Sequence, residues 1–183
     1  MIENDTAFRA EVANRIAFDE GDVLKAYPDP LSQRAKTGTG PGDPWTIGVG
    51  HTGPEVHEGL VWTQAQALSR FQSDLGKYIA QARQSLPVGI YDQLSDARKF
   101  VVISLCYNMG AGPSGWGGFV QTQALITRAV QTHNSAIAHA FYGQAADHLA
   151  ASSWTRQTGD RARRCIAMMR SSEWCSAAGN GFT

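Results

Sequence analysis

The sequence predicts an α+β protein in which a small antiparallel sheet lobe is joined by a long helix to a larger helical lobe. Three observations lead to it. A Gly/Pro-rich stretch is flanked by two strand-like runs, a long apolar stripe of helical period begins at Thr63, and helical patterns then follow one another to residue 170. The length, 183 residues, suits one domain or two small lobes sharing a core. The expected layout is a single domain over 1–176, with a short tail at 177–183. Within it, the sheet lobe covers about 20–62, the connecting helix about 63–82 and the helical lobe about 83–176, against which an N-terminal helix at 5–19 packs.

Each element has its own signal. Phe8, Val12 and Ile16 fall four apart, the stripe of an amphipathic helix, with Asn4 or Asp5 as N-cap and Gly21 as a left-handed stop. Tyr27-Pro28-Asp29-Pro30 leads into TGTGPGDP (37–44), and in WTIGVGH (45–51) Trp45, Ile47 and Val49 alternate on one face. That is strand, loop, strand. Thr63 and Gln66 fit a capping box, after which Leu68, Phe71, Leu75, Ile79 and Ala82 make one stripe, with Gly76 as a candidate bend. Residues 94–109 are apolar nearly all round, which marks a buried central helix. Shorter amphipathic segments follow near 119–130, 135–150 and 160–170.

Composition narrows the function. Hydrophobic residues at 43% and charged residues at 17% are globular proportions, which argues against intrinsic disorder. Sixteen basic and sixteen acidic side chains cancel, so no global positive field recruits nucleic acid. Arg156, Arg161, Arg163, Arg164 and Arg170 crowd together, and they read equally as a solvated face or as a contact for an anionic polymer. The three cysteines have no regular spacing. Cys106 and Cys165 read as small core residues in a chain folded under reducing conditions. The charged N-terminus looks like neither a signal peptide nor a membrane anchor, and the longest apolar run is too short to span a bilayer. A protein made soluble in the cytoplasm, without stable membrane association, is expected.

Several motifs are set aside. Gly110-Ala-Gly112-Pro-Ser-Gly115 matches GxGxxG but follows a helix and contains Pro113, so it reads as a helix cap and loop. His51, Glu55, His57 and Glu58 are close in sequence, yet their spacing fits no standard metal site, and none is expected. No G-x-S-x-G elbow occurs. What remains is a carboxylate pair. Glu20 closes a helix, where the dipole and unsatisfied carbonyls favour its protonated form, and Asp29 follows nine residues later beside a loop, where it stays ionised. Glycoside hydrolysis needs such a pair. A Glu at a helix end and an Asp before Pro are also common turn chemistry, and spacing alone does not choose.

The wording around these residues resembles the T-even bacteriophage lysozymes, glycoside hydrolase family 24. Their pattern is Glu-Gly at a helix end, an Asp nine residues on, then Thr-Ile-Gly-x-Gly-His. This chain has Glu20-Gly21, Asp29 and Thr46-Ile47-Gly48-Val49-Gly50-His51. The similarity continues through YDQLSDARKFVVISLCYNMG (91–110) and AADHLAASSWTRQTGDRARR (145–164), and it takes in most of the chain. The resemblance implies a two-lobed lysozyme-like fold and hydrolysis of the β-1,4 bond between N-acetylmuramic acid and N-acetylglucosamine. It implies Glu20 as general acid, with Asp29 and Thr46 holding the attacking water so that the anomeric configuration inverts. It also implies that Arg161 supports Glu20 and that Thr52, Tyr107, Thr122 and His148 contact the sugars.

No cofactor is implied. The expected partner is bacterial peptidoglycan, met by a monomer that a separate pore-forming protein releases for phage host lysis. The rivals are an antibacterial effector muramidase and a non-catalytic peptidoglycan-binding module of the same fold. Two departures stand out. The segment between Asp29 and Thr46 is longer than in those enzymes, and the net charge is neutral where such lysozymes are cationic.

Overall fold

The computed structural model describes residues 6–20, 23–28 and 44–175, and of Glu20 the backbone alone. The expected N-cap at Asn4 or Asp5, the Gly21 stop, Asp29, most of the long 30–45 loop and the tail from Ser176 lie outside these residues. The chain divides into two compact units. One is Arg9–Lys77, and the other is Tyr78–Thr183 with Met1–Phe8.

Helix α1 is Thr6–Glu20, and Phe8, Val12 and Ile16 are its buried stripe at 4, 0 and 2% exposure. The sheet follows, with β1 at Val23–Pro28, β2 at Trp45–Gly48 and β3 at His51–Thr52, all antiparallel in the order β1-β2-β3. Val23 pairs with Gly48 and Tyr27 with Thr46, so β1 bulges between them. On its other side, β1 hydrogen-bonds to the 60–62 segment through Ala26 N–H to Leu60 O (2.9 Å) and Trp62 N–H to Leu24 O (2.8 Å). Ala26, Ile47 and Val56 form the core beneath, with Trp45, Leu60 and Trp62 packed against it.

The alternation expected for Trp45, Ile47 and Val49 does not run as one strand. Gly48 and Gly50 take φ of +62° and +65°, which turns the chain back and leaves Val49 in the bend. Gly48 is doubly required, since a Cβ there would lie 3.1 Å from the Trp62 ring. Thr46 is buried as well, because β2 is the middle strand.

Helix α2, Gln64–Gln84, begins with the expected capping box: Thr63 N–H donates to Gln66 Oε1 (2.8 Å) and Gln66 N–H to Thr63 Oγ1 (3.2 Å). It runs unbroken through Gly76. Phe71, Leu75, Ile79 and Ala82 are buried, but Leu68 is 52% exposed. Ala67 takes the inward position there, one step of about 100° round the helix. A smaller side chain suits that place, because the Ala67 methyl faces Gly48.

In the other unit, α3 is Asp96–Met109, and Ser95 caps it by accepting from Arg98 N–H. Ala97 and every residue from Lys99 to Cys106 are buried, as expected of a central helix. Gly110, at φ +77°, ends it, so the GxGxxG string is indeed a cap and loop. Helix α4 (Val120–Gln131) packs on α5 (Ser135–Ala151), which packs in turn on α7 (Asp160–Ser171) beside α3. The short α6, Ser153–Thr158, escapes the periodicity argument because six residues show no repeat; Ser152 caps it and Gly159 (φ +54°) separates it from α7. Arg98 ties α3 to the end of α7, donating to Met169 O (2.9 Å) and Arg170 O (3.2 Å) while lying 3.4 Å over the Tyr142 ring.

Cys106 and Cys165 are core residues, 0 and 1% exposed, and burial pushes the Cys106 thiol up to about 12. All three cysteines are free thiols. No described helix is long and apolar enough to cross a membrane.

Candidate functional site

The expected site residues fall into groups, one set in each unit. In the sheet-bearing unit, Glu20 is the last residue of α1, the helix end the acid argument requires. Thr46 sits mid-sheet at 8% exposure, paired with Tyr27 on β1 and with Thr52 on β3. Directly opposed residues of antiparallel strands project to the same face, so Thr46 and the exposed Thr52 share one side of the sheet. Asp29 lies one residue past β1, outside the described residues.

At the next pair of the register, where His51 opposes Ile47, the fold builds a charged network that spacing did not reveal. His51 is 7% exposed; its Nδ1 lies 2.6 Å from Asp74 Oδ2 and its Nε2 3.0 Å from Glu55 Oε1. The ring stacks on Trp62, with centroids 5.5 Å apart. Arg70 reaches Glu55 at 3.1 Å and Asp74 at 3.5 Å, and Lys77 reaches Asp74 at 3.0 Å. Burial alone would raise the Asp74 pKa, but hydrogen bonds from Lys77 and His51 outweigh it and hold the carboxyl below its ordinary value. Glu55 is also lowered, by a backbone hydrogen bond and then by His51. Both His51 nitrogens face carboxylates, so the ring acts as a brace between β3 and α2. Its neighbour His57 places Nδ1 2.9 Å from the Glu58 carbonyl.

Thr122 and His148, far apart in sequence, line one hollow of about 420 Å³ at the start of α4 in the helical unit. Thr122 is 1% exposed and His148 is on the surface of α5. Tyr107 is half-buried on α3 and meets Tyr78 of α2, with ring centroids 4.6 Å apart at 56°. Arg161 is 8% exposed in the first turn of α7.

The arginine cluster splits accordingly. Arg161 is inside, whereas Arg163 pairs with Asp160 and Arg170 with Asp147 (2.6 Å) at the surface. That favours a solvated face over a continuous cationic patch. Sequence reasoning missed Asp74 and Tyr78. Both are on α2 beside its buried stripe, and a charged residue between Phe71 and Leu75 was the available signal for Asp74.

Comparison with known proteins adds the family. No curated protein matches the sequence. The family described as phage lysozyme matches residues 18–162, a span that starts just before Glu20 and includes every expected site residue. Its members' class is glycoside hydrolase acting on peptidoglycan, and the α+β fold agrees with it. The chain belongs to the phage lysozyme family.

Proposed function

We propose that the chain is a muramidase, hydrolysing the β-1,4 bond between N-acetylmuramic acid and N-acetylglucosamine with inversion. Glu20 donates the proton to the leaving oxygen. Asp29 and Thr46 hold the water that attacks the anomeric carbon from the opposite face. The observation that carries this reading is the placement of Glu20 at the C-terminal end of α1, where helix carbonyls disfavour negative charge, within the span of the family match. A buried Thr46 in the middle strand supports the second role, since a hydroxyl fixed by sheet pairing on both sides is held in place before substrate arrives. Arg161 supports Glu20, and Thr52, Tyr107, Thr122 and His148 contact the sugars. The reaction so written needs no cofactor. In the setting of host lysis, a separate pore-forming protein gives the enzyme its route to the wall.

The test is lysis of outer-membrane-permeabilised cells by the wild type and by Glu20→Gln. Gln keeps the shape and removes the transferable proton, so the rate should fall by about a hundredfold or more, the size of a general-acid contribution. A folded Glu20→Gln protein with near-normal activity contradicts the mechanism.

A further inference from the structure

Strand β3 is the edge of the sheet and its shortest member. It holds two residues and two register pairs, Thr46 with Thr52 and Ile47 with His51, where strands usually run to at least about three residues. No described strand pairs with its outer side. Buried side chains anchor the chain before and after the exposed part, His51 at 7% exposure and Val56 at 5%. Between them Thr52, Pro54 and Glu55 are exposed. A turn from Val56 N–H to Gly53 O (3.0 Å) shapes this arc, and Pro54 limits the conformations open to itself and to Gly53.

The Glu55 side chain folds back across the arc. Its Oε1 lies 3.0 Å from His51 Nε2 and 3.1 Å from Arg70 Nη2, so the carboxylate ties the end of the arc to its beginning and to helix α2. Arg70 is held in turn, with Nε 3.5 Å from Asp74 Oδ2. The other oxygen of Glu55 rests on Gly53. A Cβ on Gly53 would overlap Glu55 Oε2 and come within 2.8 Å of its Cδ, and the three atoms nearest to that Cβ all belong to the Glu55 carboxyl. The φ of Gly53 is not left-handed. The glycine is therefore required by the folded-back side chain and not by its own backbone.

We propose that Glu55 is a positioning residue: its carboxylate clasps the 51–55 arc and so fixes Thr52 in the place where it meets the glycan. The contact made by Thr52 rests on the muramidase reading above. Thr52 is the first exposed residue of the arc and lies directly opposite Thr46, so slack in the arc moves Thr52 first. Thr46 keeps its place, because Tyr27 of β1 pairs with it from the other side. The clasp therefore governs how well the glycan is bound, and the proton transfer and the attacking water are left as they are. The Glu55 side chain is 45% exposed, so its ionic contacts are screened; they order the arc and add little to the stability of the whole chain.

The experiment measures kcat and KM of the full chain on soluble, uncross-linked glycan strands, together with melting temperature and the NMR relaxation of the backbone amides. Glu55→Ala should raise KM about three- to tenfold, the size of one hydrogen bond to substrate, and leave kcat within about twofold. Its melting temperature should fall by less than about 2 °C, while the amides of Thr52 and Gly53 become more mobile. Gly53→Ala should reproduce both effects by displacing the carboxylate. Added to Glu55→Ala it should change nothing more, since the side chain it strikes is gone. In the Thr52→Ala background, Glu55→Ala should raise KM by less than about twofold. Effects of Glu55→Ala and Thr52→Ala that multiply in full overturn the proposal, because Glu55 then acts by itself. A fall in kcat or melting temperature with KM unchanged also overturns it, as the mark of a structural role alone. Hydrolysis by the wild type, with neither KM nor mobility altered in Glu55→Ala, removes the clasp and keeps the enzyme reading. Increased mobility in a chain that hydrolyses nothing does the reverse.

Discussion

Replacing Asp74 with Asn tests how the sheet is braced. The Asp74 side chain is 12% exposed, with Oδ2 2.6 Å from His51 Nδ1 and Oδ1 3.0 Å from Lys77 Nζ. Asn preserves the volume and a neutral acceptor, so the loss is the charge-assisted part of each bond. For the buried His51 contact that part is about 1–2 kcal/mol. The Lys77 side chain is 63% exposed, and screening reduces its share to about 0.5 kcal/mol. A deficit near 2 kcal/mol corresponds to roughly 4–8 °C in melting temperature for a chain of this size. The pH dependence has a definite sign. Asp74 has a folded pKa below its ordinary 3.8, so its contribution is complete above about pH 5 and is lost as pH falls through the folded value. Thermal melts of wild type and Asp74→Asn should therefore differ fully at pH 7 and at pH 5, and converge towards pH 3. A deficit that is unchanged or larger at pH 3, or a shift below about 1 °C at pH 7, refutes the reasoning.

Two further outcomes follow from the proposed site. If Asp29 and Thr46 hold water opposite the leaving group, the first product seen by NMR is the α-anomer; a β-anomeric first product contradicts inversion. Arg161, 8% exposed, should cost about 2–3 kcal/mol on truncation to Ala and lose lytic activity with it, because its buried surroundings are left uncompensated. The Arg163 side chain is 74% exposed, so Arg163→Ala should stay within about 0.5 kcal/mol and affect wall binding mainly at low salt. Melts and lysis rates at two ionic strengths check both, and matching behaviour of the two variants would place Arg161 with the generic surface charges.

Helices long enough to repeat their pattern were legible in the sequence. Phe8, Val12 and Ile16, the Thr63–Gln66 box and the apolar 94–109 run all reappear as predicted, because period and capping are local properties. Where tertiary contact decides, the reading slipped. Ala67, close to Gly48, takes the inward place expected of Leu68, and the Trp45–Val49 alternation breaks because two positive-φ glycines turn the chain. The site shows the same division. Neighbours in the strand pattern, Thr46 and Thr52, could be placed by register, whereas Thr122 comes to share a hollow with His148, and His51 meets Asp74, through packing that no spacing encodes. Roles for Glu20, Asp29 and Arg161 came from motif resemblance, since a carboxylate at a helix end is chemically ambiguous by itself.

The central claim is that the chain cuts a muramic acid–glucosamine bond. Purified peptidoglycan should be digested with the protein, reduced with borohydride, and the fragments weighed by mass spectrometry. The account predicts new fragments ending in N-acetylmuramitol, with no new amino groups and none made by Glu20→Gln. Fragments ending in reduced N-acetylglucosamine, newly freed amino termini, or an unchanged polymer would contradict it.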